Sequence, residues 1–314
     1  MKIVFLGTGD IGLPSLEALH NSKEHDIVSV FTQPDRPFGR KGELKASIIK
    51  EFAEKHLIPV FQPDRIKDQY ALESLSKADP DVLVVVAYGQ ILPKSVLSIP
   101  NVSCINLHAS LLPSYRGAAP IQAAILNGEE FTGMTVMYIG EGLDDGDILK
   151  SEKLKIRKDE TGGSLHDRLA LLGPELLVDS LKLLSRDEAP RNKQDHTQSS
   201  HVSKLSRSEG EIEWKHAAEY IERKIRAFYP WPGTFTYFPD GQIVKIFPEV
   251  LIGENFDEEP GKIISINSNS LVISCGEGSI QLSKIQPSGR KKMALSSYLS
   301  GKEINTGEFL GIKS

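Results

Sequence analysis

Asn106 and His108 stand two residues apart at the end of an apolar run, Val102 to Leu107. In an extended chain that spacing projects both side chains to one face. A histidine titrates near neutral pH and can move a proton. An asparagine amide can donate to a developing oxyanion without bringing charge. Taken alone, a histidine at a strand end reads as a hydrogen-bonded structural residue. The segment that follows, Ala109 to Pro120, argues otherwise: Pro113, Gly117 and Pro120 punctuate a loop too apolar for a plain solvent-facing connector, and such loops often line pockets. Further on, Gly142-Leu143-Asp144-Asp145-Gly146-Asp147 puts three carboxylates into four residues. Locally this is an Asp-Gly turn between strands. It lacks EF-hand spacing and any Cys/His cluster beside it, so one carboxylate is expected to partner His108, and no metal is expected.

Gly7-Thr8-Gly9-Asp10-Ile11-Gly12 is a literal GxGxxG between an apolar run and a helical one. A dinucleotide site of this type also needs an acidic residue at the end of the second strand to hold the ribose. That strand ends Val30-Phe31-Thr32-Gln33, and Asp35 comes late, in the Pro-rich turn Gln33-Pro34-Asp35-Arg36-Pro37. A nicotinamide-dependent oxidoreductase is therefore the weaker reading. The glycines are better explained by a tight turn between a strand and a closely packed helix. Two basic clusters remain. Asp35 to Lys50 carries Arg36, Arg40, Lys41, Lys45 and Lys50 with Gly39 and Gly42, and is long for a strand-to-helix connection. Arg290, Lys291 and Lys292 follow Pro287-Ser288-Gly289. Charge alone makes the first a solvated mobile loop; for the second, a solvated turn and a nucleic-acid-binding loop of an OB-like barrel are equally good readings.

The elements that position these residues alternate in the first half. Strands are expected at Lys2 to Leu6, Ile27 to Thr32, Pro59 to Phe61, Asp81 to Ala87 and Val102 to Leu107, and a late pair at Thr135 to Ile139 and Ile148 to Ile156. Helices are expected at Leu13 to Leu19, Ser47 to His56 and Leu165 to Leu184. The alternation implies an α/β fold, a Rossmann-like, mostly parallel sheet with helices on both faces. Asn106 and His108 then lie outside the carboxyl ends of the strands, where open parallel sheets bind ligands. Residues 185–208 are polar and aperiodic and read as a linker. After a helix at Ala217 to Phe228, five short strands suggest a small OB-like β-barrel. The expected domains are 1–184 and 209–314.

The 314 residues are 39% hydrophobic and 25% charged, an ordinary soluble composition. The first apolar run is too short for a signal peptide and Gly7 cuts it. No run approaches a membrane span, and Cys104 and Cys275 form no disulfide framework. A cytoplasmic protein is expected. A formal charge of −5 weighs mildly against nucleic-acid binding but leaves room for a local basic patch.

Asn106 to Pro120 together with the Leu143-Asp144-Asp145-Gly146 turn resembles the formyltransferase family that uses 10-formyltetrahydrofolate. Phe31 to Pro37, Val84 to Gly89, Ser110 to Pro113, Arg116 to Ile121 and Arg226 to Pro232 resemble the branch of that family acting on initiator methionyl-tRNA. The resemblance covers nearly the whole chain. It implies that Asn106, His108 and Asp144 are catalytic, that the folate donor lies along Tyr88, Gly89, Ile91 and Leu92 and along Ser110, Leu111, Leu112 and Pro113, and that the Asp35–Lys50 loop reaches the tRNA acceptor end. Arg36, Arg40 and Lys41, with Arg290, Lys291 and Lys292 on the barrel, become candidate tRNA contacts. A monomer working without metal is expected. One departure is visible: Asp145 stands where the family turn has threonine, adding a carboxylate beside Asp144. Relatives that formylate a purine precursor or an amino-sugar nucleotide are the narrower rival.

Overall fold

The computed structural model describes residues 1–39 and 42–311. The chain divides into two compact units. The first comprises Met1–Pro120, Phe131–Lys155 and His166–Val202, and the second Ile121–Glu130, Ile156–Leu165 and Ser203–Ser314.

The first unit is built on strands β1 (Lys2–Gly7), β2 (Asp26–Phe31), β3 (Val60–Phe61), β4 (Val82–Val86), β5 (Ser103–His108), β6 (Phe131–Tyr138) and β7 (Ile148–Lys155). Their order across one sheet is β7-β6-β5-β4-β1-β2-β3. The first five strands run parallel, and β6 and β7 are antiparallel additions. Val82 to Val86 is buried at every position, as a central strand covered on both faces must be. The connections α1 (Leu13–Asn21), α2 (Ile48–Lys55), α3 (Gln69–Ala78) and α4 (Lys94–Leu97) cross over between parallel strands. Strand order reverses between β1 and β4, so right-handed crossovers put α1 and α2 on one face and α3 and α4 on the other. In agreement, α1 meets α2 and α3 meets α4. Ser47 caps α2 by accepting from the N–H of Lys50. Val4, Leu6, Phe31, Leu83, Val85 and Tyr88 belong to one buried cluster of this unit.

The GxGxxG segment is explained by packing. A Cβ on Gly7 would strike the Phe5 ring and one on Gly12 would press on Val86. The glycines let the turn after β1 approach β4 closely. Part of the basic loop read as irregular forms a small hairpin, Arg36–Phe38 against Glu43–Lys45. Arg40 and Lys41 lie outside the described residues.

In the second unit, α5 (Pro120–Leu126) enters from Ile121, and α7 (Ala218–Ala227) precedes the strands. The helix α6 (Gly162–Ser185) lies in the first unit from His166 onward. Arg226 Nη1 donates to the Glu160 carbonyl and Arg223 Nε to the Leu126 carbonyl. A Cβ on Gly162 would strike the Ala227 carbonyl. These bonds tie the excursions 121–130 and 156–165 to α7, a long-range arrangement that no local pattern announces.

The strands here are β8 (Thr234–Tyr237), β9 (Ile243–Ile246), β10 (Leu251–Gly253), β11 (Ile263–Ile266), β12 (Leu271–Ser274), β13 (Ser279–Leu282), β14 (Lys284–Pro287) and β15 (Met293–Ala294). They form two four-stranded antiparallel sheets, β8-β9-β14-β15 and β10-β13-β12-β11. The sequence suggests five strands. The difference is instructive at Ile280 to Ile285, which reads as one strand but passes from one sheet to the other across Ser283. Val244, Ile246 and Ile285 of one sheet share a core with Ile263, Ile273 and Ile280 of the other.

Candidate active site

β5 delivers Asn106 and His108 to the carboxyl edge of the sheet, and His108 is only 7% exposed. Its neighbour β6 pairs Thr135 with His108 and Met137 with Asn106. The loop leaving β5 is fastened to β6. Thr135 donates to the Ser110 carbonyl at 2.7 Å, and the Leu112 N–H donates to Thr135 Oγ1 at 3.3 Å. Ser110 Oγ closes the loop on itself by donating to the Ser114 carbonyl. Tyr115 follows with φ 59°, which turns its carbonyl to His108 Nε2 at 3.0 Å. A carbonyl only accepts, so Nε2 carries the proton in this contact.

The other ring nitrogen, Nδ1, lies 3.6 Å from Asp144 Oδ2. Asn106 Nδ2 donates to Asp144 Oδ1 at 3.5 Å. Both separations exceed an ordinary hydrogen bond. Long contacts of this kind are usual before substrate arrives and tighten in the complex. The short bond to Asp144 is a different one: the Gly117 N–H donates to Oδ2 at 2.8 Å. Gly117 has φ +107°, and a Cβ there would run into the Val202 carbonyl, because Arg116–Gly117 pairs in parallel with His201–Val202. Gly146 of the acidic turn is fixed by the same logic, since a side chain would collide with the Tyr138 carbonyl. Asp145 turns its carboxylate onto Gly140 and Gly142, and it is the Asp144 carboxylate that faces His108.

Residues 192–202 fall in the stretch that the sequence presents as a linker, yet they build part of the site. Asn192 exchanges backbone hydrogen bonds with Ile148, and Ser200 accepts from the N–H groups of Tyr115 and Arg116. Gln194, 6% exposed, bonds to Arg116 and to the acidic turn. No spacing or composition marks Gln194 in the sequence; it is one polar residue in a polar stretch.

The expected folate segments lie at the ends of β4 and β5. Tyr88 is in the core, 1% exposed, with burial pushing its phenol well above its usual range. Its backbone carbonyl accepts from Thr8 Oγ1. Leu92, Leu112 and Ser110 are buried as well, Leu111 and Pro113 are half-buried, and Gly89 is exposed. Ile91 is 75% exposed and Leu143 51%, apolar side chains held out toward solvent on two loops that an ion pair, Lys94–Glu141, brings together at 3.5 Å. Gln90 anchors the first loop by accepting from the Ile66 N–H. Burial pushes the thiols of Cys104 and Cys275 up to about 12, so neither is poised as a nucleophile at neutral pH. Arg36, Arg290, Lys291 and Lys292 are exposed, and Lys292 Nζ lies 4.4 Å over the Phe247 ring. Among the described residues, no helix is long and apolar enough to cross a membrane.

Comparison with known proteins gives a consistent result. Residues 1–181 match the family described as Formyl transferase, and residues 204–303 match Formyl transferase, C-terminal domain. A protein named methionyl-tRNA formyltransferase from Alkaliphilus oremlandii (strain OhILAs) is 43% identical over 99% of this chain and 100% of its own length. One of the same name from Pseudoalteromonas translucida (strain TAC 125) is 42% identical over 99% and 98%. Among solved structures, an N-formyltransferase from Helicobacter canadensis in complex with folinic acid and dTDP-3-aminofucose aligns with TM-score 0.62 at 20% identity, covering 93% of this chain and 100% of that one. HypX from Aquifex aeolicus in complex with tetrahydrofolic acid aligns with TM-score 0.60 at 15% identity, covering 98% of this chain and 51% of that one. At such identities the structural likeness speaks to the fold.

Proposed function

The chain belongs to the formyl transferase family, and from that premise we propose that it moves the formyl group of 10-formyltetrahydrofolate onto the free amino group of initiator methionyl-tRNA. The observation that supports this most is the meeting of Asn106, His108 and Asp144 in a chain that relatives of that activity match from end to end.

The chemistry follows from the donors present. The methionyl amine attacks the formyl carbon, forming a C–N bond and a tetrahedral oxyanion. Asn106 has a second N–H free of Asp144, and His108 adds a ring N–H. Because the His108 Nε2–H is bonded to the Tyr115 carbonyl, that ring N–H is the one on Nδ1, present when the imidazole is protonated; with it Asn106 stabilises the oxyanion, an effect that typically costs about 10²–10³ in rate when one donor is removed. Asp144 orients His108 and takes part in carrying the amine proton to the folate nitrogen, whose bond to the formyl carbon then breaks. The formyl group arrives already activated on the donor, so the remaining gain comes from holding two large substrates together. The folate ring lies between the loop around Ile91 and that around Leu143, with Ser110 to Pro113 behind it. Arg36, Arg40 and Lys41, and Arg290 to Lys292 in the second unit, meet the tRNA. The protein works in the cytoplasm as a monomer.

Incubation with 10-formyltetrahydrofolate and methionyl initiator tRNA, followed by deacylation, tests the reading. Formyl-methionine is expected. Its absence, with formyl transfer instead to an amino-sugar nucleotide or a purine precursor, would reassign the substrate.

A further inference from the structure

We propose that Gln194 is a positioning residue for Asp144, holding the acidic turn so that its carboxylate faces His108. The proposal rests on the reading of Asp144 as part of the reacting site. Asp144 has a left-handed backbone, φ 49°, a conformation that aspartate tolerates better than most residues but that must be held by its surroundings. Two independent grips hold it. On the side chain, the Gly117 N–H takes Oδ2 at 2.8 Å. On the backbone, Gln194 Nε2 donates to the carbonyls of Asp144 and Gly146, both at 2.8 Å. One amide group thus spans the turn on either side of Asp145.

The opposite end of the same side chain ties these grips together. Gln194 Oε1 accepts from Arg116 Nε at 3.1 Å and Nη2 at 2.8 Å. Arg116 is 4% exposed and is directly followed by Gly117, whose N–H holds the carboxylate. Gln194 therefore couples the strand that grips the Asp144 side chain to the backbone that carries it. Glutamine suits this place because it offers both two donor hydrogens and an acceptor oxygen. Glutamate would keep the bonds to Arg116 but turn an oxygen toward two carbonyl oxygens. Methionine would keep the volume and lose every bond.

The test compares Q194E and Q194M with D144A in formyl transfer to methionyl-tRNA, with thermal unfolding and folate binding measured alongside. A small misplacement of a reacting group can cost up to about 10²-fold. Q194E is expected to lower kcat roughly 10- to 100-fold, with the KM values and folate affinity within about twofold and the unfolding temperature near wild type. Q194M should lose kcat in the same range. In the D144A background neither change should lower kcat further. Wild-type kcat in folded Q194E and Q194M, beside an inactive D144A, overturns the positioning role alone. A loss confined to thermal stability, or one that adds in full to D144A, overturns it too. Full activity of D144A would instead remove Asp144 from the site, and the proposal with it.

Discussion

The N–H of Gly117 donates to Oδ2 of Asp144 at 2.8 Å, while His108 Nδ1 stands 3.6 Å from the same oxygen. The carboxylate is therefore held by backbone and merely faced by the histidine. Its orientation is set by that backbone bond, and the histidine is held separately, by the Tyr115 carbonyl at 3.0 Å.

His108→Ala and Asn106→Ala should each lower formyl transfer by about 10²–10³ with little change in folding. Both side chains end at the strand edge rather than deep in a core cluster. Turnover near wild type with normal folate binding would take either residue out of the mechanism.

Gly117→Ala introduces a Cβ at φ +107°, facing the Val202 carbonyl. A non-glycine residue in such a conformation costs about 1–3 kcal/mol. Urea unfolding should show at least that loss, and activity should fall with it as the 116–117 strand moves. An unchanged midpoint would mean that the pairing with His201–Val202 gives way easily.

Asp145→Thr gives the turn the residue that the family resemblance leads one to expect there. Because the Asp145 carboxylate lies against Gly140 and Gly142, the pH–rate profile should keep its shape and kcat should change less than about threefold, below the usual effect of a group acting in general acid–base catalysis. A clear displacement of the acidic limb would show that Asp145 acts on Asp144.

His166 Nε2 meets Asp10 Oδ1 at 3.1 Å and its Nδ1 meets Asp167 Oδ1 at 3.0 Å. The bond to Asp10 raises the imidazole above its ordinary value, with Asp167 adding and burial opposing; the same partner lowers Asp10. A raised group stabilises fully below its unfolded value of about 6.5 and loses that contribution as pH rises through the folded value. For Asp10 the contribution holds above about 3.9 and fades as pH falls through its lowered value. His166→Phe should thus be less stable than wild type near pH 5.5, with the difference shrinking toward pH 9. A difference in Tm that stays flat across that range would disprove the linkage.

Arg40→Ala should weaken use of methionyl-tRNA while leaving folate affinity unchanged, chiefly in kcat/KM. Arg40→Lys should recover only part, because lysine lacks the planar fork. Full recovery would reduce the role to charge, and no effect of alanine would remove Arg40 from recognition.

Local chemistry announces a good part of this. Buried strands such as Val82–Val86 declare themselves by continuous apolar runs. The two-residue spacing of Asn106 and His108 becomes informative once the strand is recognised. The acidic turn is legible as the source of a carboxylate partner for His108, but that Asp144 is the one comes only from resemblance, since 36 residues separate it from His108. What is hidden is long-range. Gln194 acts through bonds to Arg116, 78 residues away, and Ser283 bends an apolar run into two sheets. Tyr88 misleads in another way: its position just past the end of β4 is legible, but the residue is buried in the core cluster and only 1% exposed.

The threading of residues 192–202 past Arg116 and the acidic turn sets where the protein could be cut. A fragment ending at 184 would contain Asn106, His108 and Asp144 yet lack Gln194, Ser200 and Val202, and with them the strand that Arg116–Gly117 pairs with. The smallest piece retaining the assembled site must run through Val202.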